Sequence, residues 1–351
     1  MYQNLIKKAA DRMVYGNDKS WEMDIGHFDW GPGVGLYGIW QAYQATKDGR
    51  YQEALVRWAD KHIGEAGEKR TINSAAPCLT LWELYKSTEK EAYKQVCVDT
   101  AEYLTKEAPL TVDGGLEHTV TEDVPGMKEQ MWADTLFMAC IFLARFGRDT
   151  KNAELGAFAV NQLKLHYQYL WDEEKELFFH GWHGQRRDHM SGVHWGRANA
   201  WILISTLEIL EAQPGFAGCE EIIRLMKLHI EALCRYQRED GMFGTILDDE
   251  DSYDELSASA GIACGLLMAA RLGYCEAAGM TPKEVQAVKE AGLLTCRMLP
   301  NYLSEDGSVT GVSTGTPIMA DAKAYKEIAR GTTLYGQALA VMAFCECEKL
   351  N

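Results

Sequence analysis

The chain is short of basic residues. Only 35 Lys and Arg stand against 51 Asp and Glu, a formal charge of −16. Nucleic acids and anionic membrane surfaces both require a basic footprint, so neither is an expected partner. No apolar run is long enough to span a bilayer. The opening MYQNLIKKAADRMVYG lacks the continuous apolar core and small-residue cleavage site of a signal peptide, which makes the cytoplasm the expected compartment. Ten cysteines are present, among them Cys78, Cys97, Cys140, Cys219, Cys234, Cys264 and Cys275, yet no pair has the CxxC spacing of a zinc or redox site. They are scattered through apolar, helix-like segments and read as reduced core residues. Also missing are GxSxG, a Walker loop, a GxGxxG between strand and helix, HExxH and an EF-hand. The segment LDDEDSYDE at 247–255 lacks the central glycine of a calcium loop and reads as a solvated acidic turn. Neither a metal nor a cofactor is expected.

What is present is helix. At 351 residues, 47% hydrophobic and 25% charged, the chain can bury a large core. Length alone leaves one or two domains open. Apolar residues recur at helical spacing from Gln3 to Val14, Val34 to Thr46, Tyr51 to Ile63, Asn73 to Tyr85, Lys90 to Lys106 and Met127 to Phe146. The series continues through Asn152 to Trp171, His194 to Leu210, Gly218 to Gln237, Leu256 to Leu272, Pro282 to Met298 and Gly331 to Phe344. Segments apolar all round alternate with segments that carry a charged face, and no period-2 strand run stands out. A helix apolar all round is buried on every side. The pattern therefore predicts an inner ring of helices wrapped by an outer one: an all-α (α/α)6 barrel of six hairpins, formed by 1–351 as one domain. A solenoid of helix pairs would have shorter, more regular repeats. Gly33-Val34-Gly35 reads as a close approach at an inner helix.

Five long connections, 17–33, 108–126, 172–193, 238–254 and 301–330, each precede an apolar helix. In a toroid they gather at one end, and long loops of this kind are usually functional. They and the helix starts that follow hold Trp21, His27, Asp29 and Trp30, then Gly114, Gly115, Glu117 and His118. Further on come His180, Gly181, Trp182 and His183 in FFHGWHG, and His194, Trp195, Arg197 and Trp201 in HWGRANAW. Tryptophan faces beside polar hydrogen-bonding groups suit sugar rings. Trp40, Trp58 and Trp82 read as core, and Trp201 fits either role. Arg197, in an otherwise apolar helix, must meet an anion or several carbonyls.

The stretch EQMWADTLFMA, 129–139, places Asp134 as the single charge between Met131 and Met138. An unpaired carboxylate is costly to bury. Asp134 is therefore either a cap or partner of Arg197, or a group kept for chemistry whose burial would favour the protonated form of a general acid. Pattern alone leaves both readings open.

EQMWADTLFMA, FFHGW and HWGRANAW, in that order, resemble the unsaturated glucuronyl and rhamnogalacturonyl hydrolases of glycoside hydrolase family 105 and its relative, family 88. The resemblance covers roughly Trp30 to the last helix and implies an (α/α)6 barrel. Substrates of that family are oligosaccharides left by polysaccharide lyases, with a C4=C5 double bond in the terminal uronic acid. An aspartate matching Asp134 protonates C4 and then serves as base for the water that adds at C5; the resulting hemiketal opens and releases the neighbouring sugar. The resemblance makes Trp195, Arg197 and Trp201 substrate-binding positions, lines the site with His118 and His180, and gives Trp30 a place in the first loop. Asn73, in TINSAAP, stands where many members carry a second aspartate; it can hydrogen-bond a sugar hydroxyl or orient Asp134 but cannot ionise. The expected partner is a small, anionic oligosaccharide. A conventional inverting glycosidase, a sugar epimerase using histidine pairs and an idle sugar-binding protein are the alternatives.

Overall fold

The computed structural model describes residues 2–16, 19–20, 22–122, 124, 126–215 and 218–350. Twelve long helices are found among them: α1 (Tyr2–Tyr15), α2 (Trp30–Thr46), α3 (Gly49–His62), α4 (Cys78–Thr88), α5 (Glu91–Lys106), α6 (Ile141–Asp149), α7 (Ala153–Leu170), α8 (Gly196–Ala212), α9 (Glu220–Tyr236), α10 (Leu256–Arg271), α11 (Pro282–Met298) and α12 (Leu334–Lys349). The even-numbered helices form a closed ring in which each packs on the next and α12 returns to α2. The odd-numbered helices wrap the outside. The fold is the (α/α)6 barrel expected from the alternating pattern.

Side-chain chemistry explains the two layers. In α8 nearly every residue is buried, whereas α9 buries Ile222, Met226, His229, Ile230 and Leu233 on one face and leaves its charges outside. That single stripe is what an outer helix needs. The helix starts carry local signals as well. Asp29 accepts from the Trp30 N–H at the head of α2, and Thr281 and Glu284 form a reciprocal capping box ahead of α11. Each such cap contributes about 1 kcal/mol. At Gly33 a Cβ would lie 2.7 Å from the Pro77 nitrogen, so the close approach expected there is real: it brings α2 against the start of α4.

The expected helix from Met127 to Phe146 needs correction. Gln130–Trp132 is instead a strand (β1), and helical structure starts only at Asp134, passing through a π-helical turn, Leu136–Cys140, into α6. Trp171–Asp172 (β2) pairs with Leu177–Phe178 (β3), β1 pairs with Gly181–His183 (β4), and Val312–Ser313 (β5) pairs with Arg330–Gly331 (β6), all antiparallel. Runs of two or three residues are too short to leave a period-2 signal. The acidic segment at 247–255 is the expected solvated turn at Asp248, Glu250 and Asp251, which are exposed, but it is also anchored to its neighbours. Asp248 meets His194, Asp249 meets Lys326, and Glu255 is fully buried as the cap of α10. Among the described residues no helix is long and apolar enough to cross a membrane.

Candidate active site

All six inner helices direct their N-terminal ends to one mouth, where the long connections gather. A cavity of about 250 Å³ opens there, lined by Trp30, Asn73, His118, Trp132, Asp134, Trp195, Arg197 and Thr316, with Val120, Val124, Met127 and Pro317 among its apolar neighbours. Six of the eight residues expected from sequence line it directly: Trp30, Asn73, His118, Asp134, Trp195 and Arg197.

The β1–β4 ribbon builds the floor. Register pairs Trp132 with Gly181, and the Ala133 N–H donates to the His180 carbonyl over 3.0 Å. Asp134 and His180, far apart in sequence, thus become neighbours just beyond the ribbon end. A Cβ at Gly181 would stand 2.9 Å from the Met131 carbonyl oxygen, which is why that strand position takes glycine. His180 Nε2 faces Asp134 Oδ2 at 3.3 Å, within ion-pair reach but oblique for a full hydrogen bond, and among the described residues neither buried atom has another partner. The Asp134 side chain is 15% exposed. As Oδ2 is the buried oxygen, Oδ1 is the one turned to the cavity.

One wall is His118, stacked on Trp132 with ring centroids 4.5 Å apart and planes 10° from parallel. His118 Nδ1 lies 3.0 Å from Thr135 Oγ1, and its backbone N–H donates to Gln130 O, which ties the third loop to β1. The opposite wall is Trp195, packed 4.2 Å from the buried His180 ring. Arg197 is clamped between Trp195 and Tyr335, 4.4 and 4.7 Å from their ring centroids. It donates to Ser257, to Ser313 through carbonyl and hydroxyl, and to Thr316. Glu255 is its nearest recorded carboxylate, at 3.9 Å. Arg197 therefore finds carbonyls and hydroxyls, as a buried guanidinium must, and no ion pair with Asp134 is recorded among the described residues. Asp134 is itself the first helical residue, and among the described residues no backbone N–H donates to its side chain. It acts neither as a cap nor as the partner of Arg197.

Burial lowers the His118 imidazole to about 4 and also holds His180 below its ordinary value, so both rings are neutral near pH 7. For Asp134 desolvation is the largest influence and pushes upward, but His180, His118 and Arg197 together outweigh it and leave the carboxyl lowered. The expectation that burial would keep Asp134 protonated is thus corrected: these neighbours favour the carboxylate. The counterweight comes chiefly from His180, which no local pattern around Asp134 reveals.

Two expected residues do not reach the cavity. His180 stands behind Asp134. Trp201 is fully buried and packs on Phe137, ring centroids 4.5 Å apart. It lies four residues beyond Arg197, about 6 Å deeper along α8, and belongs to the barrel core. Trp21 lies outside the described residues. Asp29 is engaged as the α2 cap and with Thr121. Trp30 stacks on Tyr335 at 4.7 Å.

Sequence reasoning missed Trp132, Thr316 and Pro317, and the supports Glu22 and Tyr325. Glu22 accepts from the Gly315 N–H and the Tyr335 hydroxyl, each at 3.0 Å, which joins the first loop to the last. Trp132 sits in the very stretch that was singled out, and its place next to Asp134 was the available signal. Asn73 holds its place through its backbone N–H, which donates to Thr119 O, while its carboxamide makes no recorded hydrogen bond and faces the cavity.

A helical toroid with a sugar-sized, aromatic-walled cavity and a carboxylate at its floor defines a glycoside hydrolase of the six-hairpin class. The chain belongs to Glycosyl Hydrolase Family 88, whose sequence profile matches residues 5–351. It is 34% identical over 349 residues to the unsaturated rhamnogalacturonyl hydrolase YesR of Bacillus subtilis, covering 98% of this chain and 95% of that one. Two solved structures described as possible members of family GH105 are also similar, each with a TM-score of 0.90. The one from Klebsiella pneumoniae is 31% identical and covers 99% of this chain and 93% of its own. That from Salmonella enterica is 30% identical and covers 99% and 94%. The resemblance to family 105 read from the three motifs is borne out.

Proposed function

We propose that this chain is a single-domain cytoplasmic hydrolase of unsaturated uronyl oligosaccharides, in which Asp134 protonates C4 of the terminal C4=C5 double bond. The carboxylate left behind takes a proton from the water that adds at C5. The hemiketal so formed opens and releases the neighbouring sugar. The observation that carries this reading is the carboxylate inventory of the cavity. Among the described lining residues only Asp134 and Glu122 carry one, and Glu122 is exposed at the rim. Ordinary inverting or retaining hydrolysis needs two carboxyl groups flanking the scissile bond, whereas hydration of an enol ether needs one group to give and take the proton. Asn73, where a second carboxylate would stand, offers hydrogen bonds without charge.

The lowered Asp134 carboxyl agrees with this. An arriving uronate is a like charge, and like charge raises a carboxyl pKa, so substrate binding itself promotes the acid form. The converging helix N-termini and Arg197 offset the protein's overall negative field locally. His118, Trp132, Trp195 and Trp30 supply ring faces for sugar, and Asn73 a hydroxyl partner. Buried thiols at Cys78, Cys97, Cys140 and Cys264 suit a reducing compartment.

Incubation with a panel of unsaturated uronyl disaccharides, from rhamnogalacturonan and glycosaminoglycan, should abolish the absorbance of the conjugated double bond for at least one member. Unchanged absorbance across the panel would refute the reaction. Mass analysis of the same mixtures separates hydrolysis from epimerisation, which conserves mass, and binding without turnover would mark an idle sugar-binding protein.

A further inference from the structure

A carboxyl acid has two oxygens, and only one of those on Asp134 faces the cavity. The support behind it bears on which oxygen holds the proton. Tyr325 comes from a short helix, Ala322–Lys326, in the last mouth loop, capped by Asp321 and anchored by the Lys326–Asp249 ion pair at 2.8 Å. The tyrosine is fully buried, and its Oη lies 2.6 Å from Nδ1 of His180. Ser191 Oγ is 3.5 Å from the same phenol oxygen and can donate to it. A neutral imidazole nitrogen is a stronger acceptor than a phenol oxygen, and with Ser191 able to donate to that oxygen the phenol directs its own proton at Nδ1. A neutral imidazole that accepts at Nδ1 carries its hydrogen on Nε2, and that nitrogen faces Asp134 Oδ2 at 3.3 Å.

We propose that Tyr325 is a positioning residue: it fixes His180 as the Nε2–H tautomer, so that Oδ2 of Asp134 is held as an acceptor and the acidic proton sits on Oδ1, towards the substrate. In the opposite tautomer the Nε2 lone pair would confront Oδ2 and draw the proton of Asp134 inward, away from C4. The proton count is that of the reaction above: Oδ1–H goes to C4, and water returns a proton to Asp134 as its oxygen bonds to C5. The second half of the proposal rests on that reaction; the tautomer does not.

The test is a long-range ¹H–¹⁵N spectrum of the whole protein labelled at histidine, at neutral pH, with the His180 signals assigned by their loss in His180→Gln. The wild type should show a protonated Nε2 and an unprotonated Nδ1. In Tyr325→Phe, which removes only the hydroxyl, the Nδ1 resonance should move and kcat should fall about tenfold or more while KM changes less than about twofold. A wild-type His180 protonated at Nδ1 would overturn the proposal without reference to any substrate. So would a Tyr325→Phe protein with unaltered His180 resonances and unaltered kcat. Nε2–H in the wild type and its perturbation in the variant support the positioning role even if no substrate is turned over, an outcome that would count against the reaction alone.

Discussion

The two ends of the barrel are built from the same six helices and have opposite fates for their polar groups. At the end away from the mouth a larger cavity, about 420 Å³, is lined by the C-terminal halves of all six inner helices. Its charges are satisfied internally. Arg145 bonds Glu208 and, over 2.9 Å, the Tyr37 hydroxyl; Arg271 and Lys349 share Glu346 at 2.6 and 2.7 Å; Lys86 meets Glu83 at 2.9 Å. Cations there also complement the negative ends of the helices. The mouth is smaller, yet among the described residues Asp134 Oδ2 and His180 Nε2, which face each other at 3.3 Å, and Trp195 Nε1 are buried without a hydrogen bond. Volume does not mark the active site. A carboxylate left without a hydrogen bond or a cation of its own in a cavity does, because holding it so costs stability.

Substitutions at the two ends should therefore fail differently. The largest effect is expected at the mouth: Asp134→Asn should lower turnover about a thousandfold with the thermal midpoint nearly unchanged, checked by double-bond absorbance beside calorimetry. At the other end Arg145→Met leaves Glu208 buried without its counter-ion. It should cost about 3 kcal/mol in urea unfolding and leave kcat and KM of the folded fraction intact; lost activity at full stability would erase the contrast between the ends.

Acid should act on the barrel through its buried histidines. Burial lowers His118 and His166 to about 4 and His229 to about 3. The unfolded chain binds more protons than the native one between the free value near 6.5 and those lowered values, so stability rises with pH across that window. The contribution is complete above about pH 6.5 and is lost as pH falls towards about 4. A thermal midpoint lower by about 5 °C or more at pH 4.5 than at pH 7 is expected; a midpoint that rises on acidification would contradict it. The smallest change is expected from Asn73→Asp. The new carboxylate should raise the Asp134 pKa and KM for an anionic substrate less than about tenfold, read from pH-dependent kinetics.

Much of this was legible in the sequence. The alternation of all-round apolar and one-sided segments specified the two rings, because burial on every side and burial on one face demand different periodic patterns. Long connections before inner helices located the mouth, and Asp134, Asn73, His118, Trp195, Arg197 and Trp30 all line it. The start of α6 was not legible, since MWADTLFMA carries a single charge, Asp134, and is otherwise apolar enough to suit a strand, a turn or a helix. Trp201 was ambiguous because a four-residue step stays on one helix face and changes only depth. The ionisation of Asp134 and the roles of Thr316, Glu22 and Tyr325 depend on contacts between segments remote in the chain, and such contacts leave no local pattern.

Turnover in heavy water decides whether Asp134 delivers its proton to C4 of the substrate or to a leaving oxygen. Early in the reaction, before the ketone product can exchange, proton and deuterium resonance of the released uronic acid should show one deuteron at C4 on a single face and no vinylic C4 signal. Cleavage of the glycosidic bond that releases a sugar still vinylic at C4, without deuterium there, would contradict the account.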